Sequence, residues 1–162
     1  MSLFNHAKKT LLLSALIITT ADAASIFPRG CEVTGFAFEQ NVLVLNESGN
    51  QAYFLIQNRS NVKIELERYE SEESFMSPPL QATFSPASWG AFASDVKNVT
   101  FRCYQHIDDN TSAINCGDVL EVCQYPRARF ALSNMGNYWI ASNKSQKDII
   151  QDSVNKGIYS KW

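Results

Sequence analysis

The residues of this chain with the most chemical potential crowd into one stretch, Cys103 to Trp139. It holds three of the four cysteines, Cys103, Cys116 and Cys123, together with His106. Three thiolates and an imidazole are ordinary tetrahedral zinc ligands, and the C-x2-H spacing of Cys103 and His106 is acceptable for zinc. Such a site would strand Cys31. Two disulfides use all four thiols, which favours staples over a metal. Two pairings compete. In the favoured one, Cys103 joins Cys116 across an Asp108-Asp109-Asn110-Thr111 tip that reads as a hairpin connection, leaving Cys31 for Cys123. In the rival, Cys31 joins Cys103 and Cys116 joins Cys123; it draws support from Cys31 and Cys103 both lying on apolar strand faces. On the chain-entropy model a loop of about 14 residues contributes roughly 3 kcal/mol, and the longer loop somewhat more.

Nucleophilic catalysis through a serine, a histidine and a carboxylate would have to use His106, which sits beside a loop tip with no nucleophile elbow near it. A blue-copper site needs two histidines with a cysteine. No glycine-rich phosphate loop is present, and paired thiols leave no cysteine nucleophile. The expectation is therefore a protein with no catalytic, cofactor-binding or metal-ligating residues. The same stretch carries the run Cys123-Gln-Tyr-Pro-Arg-Ala-Arg-Phe-Ala-Leu-Ser-Asn-Met-Gly-Asn-Tyr-Trp139. Within it, Tyr125, Arg127, Arg129, Asn137 and Tyr138 form a candidate interaction surface, because tyrosine, tryptophan and arginine dominate binding hot spots. The plainer alternative lets Trp139 and either Trp89 or Phe130 fill the core. The two arginines resist burial.

The first 23 residues read as a secretory signal peptide. Lys8 and Lys9 precede an apolar Leu11 to Ile18, and Ala21-Asp22-Ala23 gives an A-x-A exit, with cleavage between Ala23 and Ala24. The apolar run is far short of the roughly 20 residues that span a bilayer. No other stretch approaches that length, so the mature chain is expected to lack a transmembrane segment and to reside in the periplasm or be secreted. Removing 23 of the 162 residues leaves 139, the size of one domain over 24–162. The mature balance is 12 basic to 15 acidic residues, which offers no cationic excess for nucleic acid. Five sequons begin at Asn46, Asn58, Asn98, Asn110 and Asn143. They exceed the roughly two expected by chance and would suit a glycoprotein or an Asn-rich bacterial protein.

These residues must be positioned by strands. Cys31 to Phe38 alternates weakly. Asn41 to Leu45 and Tyr53 to Gln57, separated by Glu47-Ser48-Gly49-Asn50, read as a β-hairpin. After a turn at Asn58 to Asn61, Val62, Ile64 and Leu66 face one way and Lys63, Glu65 and Glu67 the other, the signature of a strand with one wet face. Glu70 to Glu73 is an acidic cluster, best read as a solvated turn, and Ser77-Pro78-Pro79 marks a connection. Ala82 to Phe84, Trp89 to Ala93 and Val99 to Tyr104 continue as strands, with Val99, Phe101 and Cys103 on one face. Asn115 to Gln124 is ambiguous between strand and helical turn. Ala128, Phe130 and Leu132 alternate with polar neighbours, and after a turn at Asn134 to Asn137, Tyr138 to Ala141 closes a second hairpin. The period then changes. Ser145 and Asp148 form a short capping pair, Ile149, Ile150, Ser153 and Val154 make one stripe, and Gly157 ends a helix over 146–156. Many short strands with no βαβ unit imply an antiparallel β-sandwich, immunoglobulin-like, with a C-terminal α-helix.

Several blocks of the mature chain resemble the enhanced entry protein EnhB family of Legionella and its relatives. They are Pro28-Arg29-Gly30-Cys31-Glu32, Tyr53-Phe54-Leu55-Ile56-Gln57-Asn58, Met76-Ser77-Pro78-Pro79-Leu80, Ala91-Phe92-Ala93-Ser94-Asp95 and the run from Cys123 to Trp139. The resemblance implies an exported envelope or secreted protein of a Gram-negative bacterium, associated with entry into host cells and with virulence. It implies protein partners in the envelope, a Sel1-repeat protein among the candidates, and a setting close to the cell wall. It implies no enzymatic activity, and it lowers the glycoprotein reading. The alternative is a peptidoglycan-binding or cell-wall-modifying factor using the Arg127, Arg129 and Tyr138 surface.

Overall fold

A computed structural model describes residues 26–46, 51–69, 80–94, 98–126, 128–130 and 138–159. The signal segment with Ala23 and Ala24, the turns at Glu47 to Asn50 and Asn134 to Asn137, the acidic cluster, Ser77-Pro78-Pro79, Arg127 and Leu132 lie outside these residues.

Among the described residues, ten strands and two helices run in chain order: β1 (Phe36–Glu39), β2 (Val42–Asn46), β3 (Ala52–Asn58), β4 (Lys63–Arg68), β5 (Gln81–Phe84), β6 (Trp89–Ser94), β7 (Asn98–Ile107), β8 (Asn110–Ile114), α1 (Cys116–Val119), β9 (Leu120–Tyr125), β10 (Tyr138–Lys144) and α2 (Gln146–Asn155). The strands form two antiparallel sheets. The larger has the order β1-β2-β7-β4-β5, with β8 also on β7, and the smaller has the order β10-β6-β3-β9. This is the β-sandwich with a short C-terminal helix that the strand spacing implied.

The inner core follows from the period of two. Leu43 and Leu45 on β2, Ile64 and Leu66 on β4, and Phe101 and Cys103 on β7 project from the larger sheet. Phe54 and Ile56 on β3, Phe92 on β6 and Val122 on β9 meet them, and all are buried. Phe92 and Phe101 touch edge to face across the interface with centroids 5.4 Å apart. Each such side chain contributes roughly 1.5–3 kcal/mol by leaving water.

A second core lies on the other face of the smaller sheet. Tyr53 and Leu55 on β3, Ala91 and Ala93 on β6, and Cys123 and Tyr125 on β9 point away from the sandwich interior, yet they are as buried as the residues facing it. They are covered by Ile149 of α2, by Ala128, Phe130 and Ile158, and by Phe27 and Cys31 of the N-terminal segment. β3 and β6 are consequently buried on both faces, which explains their continuous apolar runs. The described residues therefore form three layers: larger sheet, smaller sheet, and a cover built from the segment around Phe27 and Cys31, residues 128–130, and α2 with Ile158.

The layering overturns two expected hairpins. β2 and β3 do not pair; β2 lies between β1 and β7, whereas β3 lies between β6 and β9 in the opposite sheet. β2 and β3 thus belong to opposite sheets, an outcome that local turn signals cannot distinguish from a tight return. Likewise β10 pairs with β6 at the edge of the smaller sheet opposite β9, and residues 128–130, the described part of its expected hairpin partner, do not pair with it. Residues 128–130 run over the outer face, where Arg129 bridges Tyr159. The Gln51 side chain grips the Phe130 backbone, donating to its carbonyl and accepting from its N–H at 3.1 Å.

The crossing from β3 to β4 is organised by Asn58, which is wholly buried. Its amide donates to the Val62 carbonyl at 2.8 Å and lies within 3.2 Å of the Phe84 and Ser85 carbonyls, while its Oδ1 accepts from the Ser60 N–H and hydroxyl. This sequon is a structural knot with no room for a glycan. Asn115 to Gln124 resolves into both candidates, with one helical turn (α1) running directly into β9.

At the C-terminus the local reading holds in detail. The Ser145 hydroxyl caps α2 by accepting from the Asp148 N–H at 3.2 Å. Gly157 adopts φ +77°, and the Gly157 and Ile158 N–H groups return to the Val154 and Ser153 carbonyls at 2.9 Å. That is a Schellman ending with the buried Ile158 as its apolar contact.

Candidate interaction surface

The structure joins Cys103 to Cys116 and Cys31 to Cys123, and no described cysteine is free. The two bonds serve different layers. Cys103–Cys116 sits in the inner core beside Phe101, and Cys31–Cys123 pins the N-terminal segment against the outer face of the smaller sheet. With Cys103 and Cys116 bonded to each other, the Cys3His zinc set is dismantled.

Among the described residues, the candidate surface from Tyr125 to Tyr138 loses Tyr125 to the core and keeps Tyr138 only half-exposed. Tyr125 is 1% exposed, packed against the Tyr53 ring with centroids 5.8 Å apart. Burial raises its phenol pKa to about 12. Tyr138 lies half-buried and stacks on Phe92 of the inner core. Both are corrected from surface to core, because β10 and β9 project them into the two apolar layers. Arg129 alone of the five is exposed among the described residues, and Arg127 and Asn137 lie outside them. Trp139 packs with Trp89 and Phe130 in the outer core, as the plainer alternative supposed.

The open surface is the outer face of the larger sheet, which no described element covers. Along β7, the longest strand, Thr100, Arg102, Tyr104 and His106 alternate outward while Val99, Phe101 and Cys103 turn in. Register sets their neighbours. Arg102 stands between Val42 and Glu67, Tyr104 between Ala113 and Glu65, and His106 between Thr111 and Lys63. The Arg102 guanidinium lies 3.8 Å from the centroid of the Tyr69 ring, and Tyr69 is 41% exposed. Such a cation–π contact at an exposed site is worth roughly 0.5–1 kcal/mol. It holds an arginine and an aromatic ring ready as one platform.

Beside it, His106 Nε2 meets the Glu65 carboxylate at 3.0 Å, and His106 Nδ1 meets the Thr111 hydroxyl at 3.1 Å. Hydroxyl, imidazole and carboxylate in that order are the parts of an acyl-transfer triad. Here the contact follows from the ladder alone, since His106 and Thr111 are directly opposed across the β7–β8 hairpin. Thr111 is exposed on a sheet face, so water reaches the group. The arrangement orders the surface and fixes the imidazole between two partners.

The sequence marked Lys63, Glu65 and Glu67 as the wet face of one strand and set Val99, Phe101 and Cys103 on one face of another, but treated the two strands separately. What joins them is the pairing of β4 with β7, between strands about 40 residues apart, for which alternation carries no signal. No protein-family model, curated protein or solved structure matches this chain.

Proposed function

We propose that this protein is an exported, non-enzymatic envelope protein that works by protein–protein contact in a system linked to bacterial entry into host cells, acting in the periplasm or after secretion. The setting comes from the resemblance to the enhanced entry protein family and from the leader-like N-terminus. Paired cysteines fit an oxidising compartment. Among the described residues, no helix is long and apolar enough to cross a membrane.

The single observation behind contact as the mode of action is the asymmetry of the sandwich. The smaller sheet is covered by α2 and by Phe27, Cys31, Phe130 and Ile158, whereas the larger sheet leaves Arg102 on Tyr69, Tyr104, His106 and Glu65 facing outward. Tyrosine and arginine held by neighbours are what interface cores use, because little side-chain freedom remains to be lost on binding.

Two assays on the wild-type protein test the reading: capture of partners from envelope extracts of a Gram-negative host, and co-sedimentation with purified peptidoglycan. A discrete protein partner, a Sel1-repeat protein being one candidate, is expected. Sedimentation with peptidoglycan and no protein partner would move the assignment to a wall-binding factor. The hydroxyl–imidazole–carboxylate order favours a second reading, an ester- or amide-cleaving wall enzyme. Turnover of an activated ester that disappears in His106→Ala would establish that reading instead.

A further inference from the structure

Most exposed strand edges of this sandwich are blunted. Along β9, Glu32 and Gln124 exchange backbone bonds at 2.8 and 2.7 Å. β10 carries a register break between Ala141 and Lys144, and its Lys144 pairs with Asp152 of α2. At the end of β5, the Asn143 side chain accepts from the Ser85 N–H at 2.9 Å. β1 is four residues long, and its entry at Gly35 packs against the Gln124 side chain.

β8 differs. It is Asn110-Thr-Ser-Ala-Ile114, with no charge, no proline and no bulge, and Asn110 to Ala113 are exposed. It pairs with β7 on one side, and no described strand lies on the other. An edge of this kind is a template for another strand. The two-residue turn Asp108-Asp109 closes on the Ile107–Asn110 pair. Bonded and non-bonded pairs alternate along an antiparallel ladder, so Thr111 and Ala113 send their N–H and C=O groups away from β7.

The edge also has defined ends. Val42 and Ile114 face consecutive residues of β7, Arg102 and Cys103, so β8 continues the line of β2. A strand added to β8 would therefore continue the line of β1, between the Gln40-Asn41 tip and the Asp108-Asp109 tip. Five residues of β8 give a track of roughly 17 Å. Its surroundings are acidic and exposed: Glu39 at one end, Asp108 and Asp109 at the other, and Asp118 on α1.

We propose that β8 is a strand-addition site for an extended polypeptide segment flanked by lysine or arginine. Main-chain bonds to Thr111 and Ala113 supply the docking, and the acidic ends select a basic segment over a neutral or acidic one. The proposal rests on the reading of this protein as one that works by protein contact.

The test uses the wild-type protein and a fluorescent peptide of alternating threonine and valine with two lysines at each end, followed by anisotropy at low salt. Binding is expected, with the Thr111 and Ala113 amides shifting most in NMR spectra. Ala113→Pro removes the outward N–H without removing a ladder bond to β7, a change that edge strands tolerate. It should keep the melting temperature and weaken binding at least tenfold. A probe N-methylated at alternate amides, which cannot join a ladder, should lose binding to the unaltered protein. The proposal is overturned by equal binding of a probe with glutamate in place of lysine, by equal binding of the methylated probe, by no binding at all, or by a β8-mediated homodimer that excludes the peptide. Ala113→Pro that still captures the wild-type envelope partner would overturn the strand-addition site and leave the protein-contact reading intact. Sedimentation with peptidoglycan alone would instead remove that reading.

Discussion

The Tyr53 hydroxyl meets the Ser153 hydroxyl at 2.5 Å in the layer between the smaller sheet and helix α2. Ser153 gives its own proton to the Ile149 carbonyl at 2.7 Å, so Tyr53 is the donor to Ser153. One buried hydrogen bond thus ties the start of β3 to a helix 100 residues later, where apolar packing alone would let the helix slide. Tyr53→Phe removes the donor and leaves the helix face intact. We expect a loss of about 1 kcal/mol in denaturant unfolding, with unchanged helical circular dichroism.

The same layer makes the protein sensitive to alkali. Burial raises the Tyr53 phenol pKa far above its ordinary range, and burial raises that of Tyr125 to about 12. The folded state holds these protons after the unfolded chain has released them at about pH 10. Stability is therefore full below pH 10 and falls as pH rises from there through about 12. Melting temperatures measured across that window should decline, and Tyr125→Phe should flatten part of the decline.

The two disulfides should separate by location. Opening Cys103–Cys116 with a serine pair removes a short loop closure in the inner core, costing roughly 3 kcal/mol. Opening Cys31–Cys123, which closes a loop with a sequence separation of 92, costs somewhat more on the same model and frees the N-terminal cover. Calorimetry of each double variant should show a lower melting temperature. Only loss of Cys31–Cys123 should increase binding of a hydrophobic dye, as Leu55, Ala91 and Trp89 lose part of their cover.

Gly35 offers a sharper test of one close approach. Its φ is +78°, and a Cβ placed there would lie 1.6 Å from the buried Gln124 side chain. Gly35→Ala must move Gln124 or the chain, so a loss above roughly 2 kcal/mol is expected in urea unfolding.

Much of this architecture was legible because it is local. Alternation at Ile64–Leu66 and at Val99–Cys103, the Asp108-Asp109 tip, and the Ser145 and Gly157 ends of α2 each depend on a few neighbouring residues. The sheet to which a strand belongs does not. The runs at 42–46 and 52–58 are both apolar, and nothing in the link between them says that β2 and β3 enter opposite sheets. The polar-aromatic run was misplaced for a related reason. Tyr125 and Tyr138 look like hot-spot residues by type, but a third layer formed by Phe27, Phe130, Ile149 and Ile158 buries one, and the inner core takes the other. Platforms such as Arg102 on Tyr69 arise only once β4 and β7 are neighbours, so residue type alone could not reveal them.

The account turns on which face meets a partner. The most direct measurement is partner capture from envelope extracts by two variants that keep the wild-type melting temperature. Arg102→Glu combined with Tyr104→Ala alters the open sheet face, and Arg129→Glu alters the covered side. The account predicts that the first loses at least tenfold in retained partner and that the second retains it fully. Loss by Arg129→Glu with full retention by the sheet-face variant would contradict it.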